Sequence, residues 1–483
     1  MKRRAIRRVL IANRGEIAVR IIRACRELGM ETVQVYSDAD RDSLAVRLAD
    51  RAVCIGPAHS RHSYLNGEFI VSAALTQGAD AIHPGYGFLS ENAEFAELCE
   101  GAGIAFIGPP AHVIRKMGDK AMARRMAEEA GVPVTPGSSG AVADAESAQT
   151  IAARLGYPVL IKAVAGGGGR GMRVVRRPGD IAAQFTEAGR EAAAAFGDGS
   201  LYVEKYLERV RHIEIQVLAD GATVLHLGER DCSIQRRNQK LLEESPSPAL
   251  DAAARERIGE AAVRLCRHVG YRSAGTIECI VDTASGEFHF MEMNTRVQVE
   301  HPVTELVTGI DIVKAQLRIA AGEPLALAQE DVSLQGHALE CRINAEDPDR
   351  GFSPSPGRIE GLHLPGGPGI RVDSHVYDGY TIPPYYDSLV AKVIAWGGRR
   401  EESIARMRRA LGEMRIGGVA TTIGFHQRLL RDPRFERGDV HTRFVEDEFM
   451  GGAMSVAGPS QDANCAPSGG SAAANAASVG VVQ

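Results

Sequence analysis

The chain has 483 residues, of which 44% are hydrophobic and 24% charged, with a formal net charge of -5. That length gives room for roughly two to four domains with proper cores, and the charge balance argues against nucleic acid or an acidic membrane as the main partner. The apolar stretch behind the basic start is only Val9–Ala12, too short for a signal-peptide core, and no stretch approaches the ~20 apolar residues of a membrane helix. The eight cysteines (Cys25, Cys54, Cys99, Cys232, Cys266, Cys279, Cys341 and Cys465) form no CxxC pair and have no zinc spacing, which predicts reduced thiols in a cytoplasmic enzyme.

In chain order, VLIAN (Val9–Asn13) reads as a buried strand, and Ile17, Ile21, Cys25 and Leu28 mark one face of the helix behind it. TVQVYS, AVCIG, ADAIHPG and IAFIGPP repeat the strand signal between helical stretches. Residues 1–116 therefore read as a parallel, doubly wound sheet. HPGYGFLSEN, His83–Asn92, joins strand to helix through Pro84, Gly85 and Gly87, at the sheet end where ligands collect; a plain loop with a Ser90 cap fits equally well.

Residues 117–332 open with a helix from Lys120 to Ala130. The strands PVLIKAVA and MRVVRR flank AGGGGRGM, Ala165–Met172. Gly166, Gly168 and Gly171 spell GxGxxG, but that fingerprint must open a helix and here a strand follows. What remains is a hairpin loop whose bare N–H groups at Gly166, Gly167, Gly168 and Gly169 can close over phosphates; a merely flexible turn is the alternative. Lys162 on the entering strand and Lys120 are placed to meet triphosphate oxygens. Glu204, at the end of LYVEKYL, and the backbone after it fit an adenine edge. IEIQVLAD and TVLHLGERD read as further strands, 251–269 and 310–321 as helices. The run ERDCSIQRRNQKLLEE, with Arg230, Arg236, Arg237 and Lys240, reads by default as a solvated charged loop.

The strongest constellation is TIECIVDTASGEFHFMEMNTRVQVEH. Strands 276–281 and 287–293 form a hairpin. Glu292 and Asn294, two apart, share a face, and Glu278 can join them from the partner strand. Carboxylates among apolar neighbours need a cation, and hard oxygen ligands suit Mg²⁺ bridging a nucleotide; surface glutamates on an edge hairpin are the alternative. If the extended backbone persists, Arg296 and Glu300 lie on one face with Gln298 between them. A guanidinium can hold a planar oxyanion and a carboxylate can take its proton, as activation of bicarbonate requires. His301 could be a ligand, but a lone His before Pro302 is more often structural.

From 333 to 450 come short strands, Pro-Gly turns and a helix near 401–413. Arg342, between Cys341 and Ile343, must find an anionic partner: Glu340, Glu346 or a developing oxyanion. Residues 451–483 collapse to Gly, Ala, Ser and Asn and read as a disordered tail.

IANRGEIA, HPGYGFLSEN, KAVAGGGGRGMRVV, EKYLE, RHIEIQVLAD, ERDCSIQRR, EMNTRVQVEHPVTE, ECRINAED, FSPSPG and PPYYDSL together closely resemble the biotin carboxylase family, over about residues 5–447. The resemblance implies an α/β fold: a Rossmann-like N-terminal domain (1–116), an ATP-grasp domain (117–332, lid about 135–205) and a C-terminal mixed α+β domain (333–450). It implies that Lys120, Lys162, Glu204, Lys205 and Leu207 bind ATP, with His212 and Asn238 close by, and that Glu278, Glu292 and Asn294 hold Mg²⁺ or Mn²⁺. Lys240, Arg296, Gln298, Val299 and Glu300 would take bicarbonate, with Glu300 as base. Arg342 would orient biotin and stabilise its enolate, with Tyr86 beside it. Two departures stand out: Asn238 where the family often has His, and Ala165 at the first lid glycine. No Met-Lys-Met biotin-attachment motif occurs, so the expected partners are a separate biotin carboxyl carrier protein and carboxyltransferase subunits, the enzyme itself being a homodimer. The rival readings are another ATP-grasp ligase, of the carbamoyl phosphate synthetase or purine-pathway kind, and a nucleotide-binding subunit whose chemistry has decayed.

Overall fold

The computed structural model describes residues 5–164 and 171–451. Gly166, Gly167, Gly168 and Gly169 of the glycine loop, and all but the first residue of the tail expected to be disordered, lie outside them. The N-terminal part is a five-stranded parallel sheet of β1 (Arg8–Ile11), β2 (Glu31–Tyr36), β3 (Arg51–Cys54), β4 (Ala81–His83) and β5 (Ala105–Phe106), in the order β3-β2-β1-β4-β5. Ile17, Ile21 and Cys25 of the helix Gly15–Glu27 are buried, as their periodicity predicts. The strand order reverses between β1 and β4, and the carboxyl ends of those two strands form the crevice where such sheets bind ligands. The chain there is clamped: Asn13 Nδ2 donates to the carbonyls of Pro84 (2.6 Å) and Tyr86 (2.7 Å). Gly85, at φ 64°, fits against Asn13, where an added Cβ would lie 2.8 Å from Nδ2.

A small antiparallel sheet follows, of β6 (Val159–Ala163), β7 (Arg173–Val175) and β8 (Leu201–Lys205), in the order β7-β6-β8. The segment 133–138 straps it to the large sheet: the N–H of Phe290 donates to Pro133 O (2.7 Å) and that of Lys205 to Pro136 O (2.8 Å).

The large sheet has eight strands. β9 (Val210–Ala219), β10 (Val224–Arg236), β11 (Gln239–Ser245), β12 (Ser273–Asp282), β13 (Phe288–Asn294) and β14 (His337–Asn344) join the strands Ile370–Ser374 and Leu389–Gly397, and every pairing is antiparallel. Alternation decides its faces. Ile213, Ile215 and Val217 of β9 and Ile277, Cys279 and Val281 of β12 pack on Ile258, Ala262 and Leu265 of the helix Ala252–Val269. The residues between them, His212, Glu214, Gln216, Thr276 and Glu278, must face the other way, and they too are buried.

Two expectations need correction. The run ERDCSIQRRNQK is no solvated loop: it is the β10–β11 hairpin, with Glu229, Arg230 and Asp231 buried and only a two-residue turn at Arg237 and Asn238 (φ 48° and 63°). That left-handed turn matches the strand twist, and Asn is among the residues that tolerate it. The extended backbone also does not run from Asn294 to Glu300: β13 stops at Asn294, and Glu300 is the N-cap of the helix His301–Thr308. Among the described residues no helix is long and apolar enough to cross a membrane.

Candidate active site

The polar face of the large sheet carries a ladder in register. Arg230 of β10 pairs with Glu214 of β9, Glu214 with Glu278 of β12, and Glu278 with Glu292 of β13. One step along, Gln216, Thr276 and Asn294 form a second row. Directly opposed like charges are unfavourable, so a row of three glutamates needs cations. Lys240 of β11 supplies one: its ammonium contacts Glu214, Glu278 Oε1 (3.0 Å) and Glu300 Oε1 (2.9 Å) together. Arg230, fully buried, reaches Gln216 Oε1 (2.7 Å), Gln298 Oε1 (2.6 Å), Thr276 (3.0 Å), Thr304 (3.0 Å) and Glu214 Oε2 (3.3 Å).

Burial works against charge on Glu278 and on Glu300. In Glu278 the Lys240 ammonium and His212 (Nε2 to Oε2, 2.9 Å) outweigh it and hold the carboxyl well below the usual range. In Glu300 Lys240, Arg342 and Arg230 do the same. Glu214 goes the other way: burial pushes its carboxyl up to about 7 despite Lys240, with Glu300 and Glu278 adding to the rise. Burial and the facing Glu278 charge also raise Glu292, while Lys120 acts in the opposite sense. A divalent cation between Glu278 and Glu292 would relieve that repulsion, so the donor set fits a hard metal ion. His212, Glu214 and Glu278 also place one ligand atom each within 4.8 Å of one another.

Asn294 Nδ2 and Gln298 Nε2 both donate to Glu278 Oε1 (2.7 and 2.8 Å). Arg296 donates to Glu91 Oε2 (2.7 Å) of the turn after β4 and to Asn294 Oδ1 (2.9 Å), while Glu300 is held by Lys240 and by Arg342 Nη2 (2.9 Å). Arg342 is thus pinned by Glu300 and by Glu243 of the neighbouring strand (2.5 Å), and by neither Glu340 nor Glu346. The half-buried Val299 gives its carbonyl to Lys392 (2.7 Å). The Tyr86 hydroxyl donates to Glu16, and Arg342 lies close enough to favour its ionised form, although burial and Glu16 push the hydroxyl well above its usual range.

Of the residues expected at ATP, Lys162, Glu204 and Lys205 lie on the small sheet, while His212 lies on β9 of the large one. Lys162 Nζ contacts Glu204 Oε2 (2.7 Å), and Arg124 Nη1 contacts the other oxygen (3.1 Å). Lys205 turns aside, donating to the carbonyls of Gly156 (2.9 Å) and Tyr157 (3.3 Å). Leu207 is half-buried in the link between β8 and β9, Lys120 starts the helix Lys120–Glu129, and Asn238 caps the β10–β11 turn. Glu214, Glu243, Glu16 and Lys392 were not singled out in the sequence, and Arg230, named there as part of a solvated loop, is instead buried in the site. For Glu214 the signal was present: His212, Glu214 and Gln216 alternate with Ile and Val in IEIQV.

Three family models match the chain consecutively: the biotin carboxylase N-terminal domain over residues 5–114, the carbamoyl-phosphate synthase L chain ATP-binding domain over 119–328, and the biotin carboxylase C-terminal domain over 340–447. A biotin carboxylase of Nostoc sp. is 60% identical over 441 residues, covering 91% of this chain and 98% of that protein.

The chain belongs to the biotin carboxylase family.

Biotin carboxylase 1 of Bacillus subtilis is 58% identical, again over 91% of this chain and 98% of that protein. Among solved structures, the biotin carboxylase domain dimer of Hydrogenobacter thermophilus 2-oxoglutarate carboxylase, in complex with MgADP, ADP and bicarbonate, is 52% identical with a TM-score of 0.87 over 92% of this chain and 98% of that one. The biotin carboxylase from Campylobacter jejuni, in a nucleotide complex, is 48% identical with a TM-score of 0.88 over 92% and 99%. The fold is therefore an ATP-grasp core with a Rossmann-like N-terminal sheet and a mixed C-terminal region. This biotin carboxylase is an ATP-dependent ligase that uses ATP, Mg²⁺ and biotin on a carrier, and its reaction is the first half of a biotin-dependent carboxylation. The N- and C-terminal matches separate it from the other ATP-grasp ligases.

Proposed function

We propose that the pocket around Lys240 is where this biotin carboxylase activates bicarbonate and passes its carbon to biotin. The observation that carries the reading is the single ammonium of Lys240, shared by Glu278 on the nucleotide side and Glu300 on the bicarbonate side. Lys120, Lys162, Glu204, Lys205, Leu207, His212 and Asn238 take ATP, under a lid that includes Gly166–Gly169. Glu278, Glu292 and Asn294 hold Mg²⁺ or Mn²⁺, which supplies charge neutralisation at the phosphates. Arg296, Gln298 and the Val299 backbone hold bicarbonate with Lys240, and Glu300, kept ionised by its cation partners, removes its proton. Arg342, whose charge Glu243 and Glu300 fix in place, orients biotin beside Tyr86 and stabilises its enolate.

The route runs through carboxyphosphate: a bicarbonate oxygen attacks the γ-phosphorus and ADP leaves; carboxyphosphate then splits into CO₂ and phosphate beside biotin, the phosphate takes the ureido N–H proton, and the nitrogen bonds to CO₂. We further propose that the chain works in the cytoplasm as a homodimer. It serves a separate biotin carboxyl carrier protein and carboxyltransferase subunits that choose the acceptor, acetyl-CoA or another acyl-CoA. Its functional units are 1–116, 117–332 and 333–450, the last two joined by the β11–β14 pairing. The test is ATP turnover with ¹⁸O-bicarbonate, with and without free biotin. ¹⁸O in the released phosphate and a biotin-dependent rate support the reading; turnover that ignores both contradicts it.

A further inference from the structure

We infer that Lys392 is a positioning residue that holds the Tyr86 loop and the Val299–Glu300 loop in fixed relation, so that biotin and bicarbonate meet. The inference rests on the function proposed above and goes beyond it, since Lys392 lies outside both the nucleotide and the bicarbonate residue sets.

Lys392 sits in VAKVIAW, on the strand Leu389–Gly397, and is fully buried. A buried ammonium costs several kcal/mol unless its donors are used, so its partners are informative. It stands in register between Arg342 of β14 and Asp373 of the strand Ile370–Ser374. Its Nζ lies 3.0 Å from Glu16 Oε1, the same oxygen that accepts the Tyr86 hydroxyl. It also donates to the carbonyl of Val299 at 2.7 Å, the peptide immediately before Glu300. One cation thus bridges the switch point of the N-terminal sheet and the loop that carries Gln298 and Glu300.

The remaining charged groups facing it are Glu340 on β14 and Asp373 (4.0 Å), with the imidazole of His301, kept neutral by burial, also near. Both Glu340 oxygens and Glu16 Oε2 are buried with no hydrogen-bond partner among the described residues. A fold-only salt bridge would call for one carboxylate with both oxygens satisfied. Here the ammonium instead uses one oxygen of Glu16 and a loop carbonyl, the two atoms that connect to the site.

The test is steady-state ATP hydrolysis by the purified full-length chain, varying ATP, bicarbonate and free biotin separately. Wild type must respond to bicarbonate and biotin; if it does not, the proposed function falls and this inference with it. Lys392→Met should raise the KM for bicarbonate and for biotin by about tenfold to a hundredfold, the scale expected when reacting groups are misplaced, with the KM for ATP unchanged. Glu16→Gln keeps the shape but removes the charge that ties Lys392 to the Tyr86 arm, leaving the Val299 contact in place; it should raise the biotin KM alone, as much as Tyr86→Phe does, with the double variant no worse than either. If Lys392→Met does not fold, the Glu16→Gln, Tyr86→Phe and double-variant set decides. Unchanged KM values in a folded Lys392→Met, all three rising together, or additive Glu16 and Tyr86 effects would overturn the inference.

Discussion

Two buried polar clusters in this molecule obey opposite rules. At the seam between the N-terminal sheet and residues 375–388, Arg14 meets Asp40 in a bidentate pair (2.8 and 2.9 Å), the Tyr64 hydroxyl donates to Asp40 (2.7 Å), and the Tyr386 ring lies 4.2 Å beneath the guanidinium. The buried cation and anion answer each other directly, the exposed Asp387 lies 3.7 Å from Nη1 of the guanidinium, and both Asp40 oxygens are used, as a buried ion pair must be if it is to persist. Around Lys240, three glutamates share one ammonium, Glu214 and Glu278 oppose each other in register, and Glu292 faces Glu278. The first cluster is complete in the free protein. The second carries surplus negative charge that a metal ion would complete. Buried polarity is therefore not diagnostic of a site; imbalance within it is.

The comparison breaks most visibly at Glu300. Glu300→Gln keeps the shape but removes the proposed base, and bicarbonate-dependent turnover should fall by about 10²–10⁴ while ADP binding, measured by calorimetry, is unchanged. Asp40→Asn tests the balanced cluster: it leaves the buried Arg14 with only the exposed Asp387, 3.7 Å away, so denaturant titration should show a loss of about 3–5 kcal/mol, with kcat per folded molecule near wild type. A large kcat loss there would erase the distinction.

Glu214 sharpens it. Its carboxyl is raised from the ordinary range to about 7, so the stability tied to its proton is present below about pH 4.5 and is lost as pH rises through about 7. In metal-free, nucleotide-free buffer, wild type should lose roughly 2–3 kcal/mol relative to Glu214→Gln between about pH 5 and pH 8. A flat difference would mean that the cluster carries no surplus charge. Smallest in expected effect, Glu278→Gln should raise the Mg²⁺ concentration for half-maximal turnover by at least about tenfold.

Much of this was legible in the sequence, for local reasons. The period-two pattern of TIECIVD and FHFMEMN set Glu278 and Glu292 on one face, and their register confirms it. The Pro-Gly turn after β4 was visible because Gly85 needs a left-handed φ beside Asn13. What escaped depended on layers that local pattern does not show. GERDC looks solvated because its charges are dense; it is buried because the helix His301–Thr308 covers β10, so that Thr304 meets Arg230. The partner of Arg342 was misjudged because Glu243 reaches it only through the β11–β14 pairing. Lys392, alone among apolar residues, gave no periodic signal at all.

In the proposed function, Glu278 and Glu292 share one divalent ion at the nucleotide phosphates. A crystal of the full chain grown with ADP and Mn²⁺, with data collected at the manganese edge, tests this directly. An anomalous peak is expected between the two carboxylates, at ordinary oxygen-ligand distances of roughly 2.0–2.2 Å. A nucleotide-bound structure whose peak lies elsewhere, with both carboxylates turned from the phosphates, would contradict it.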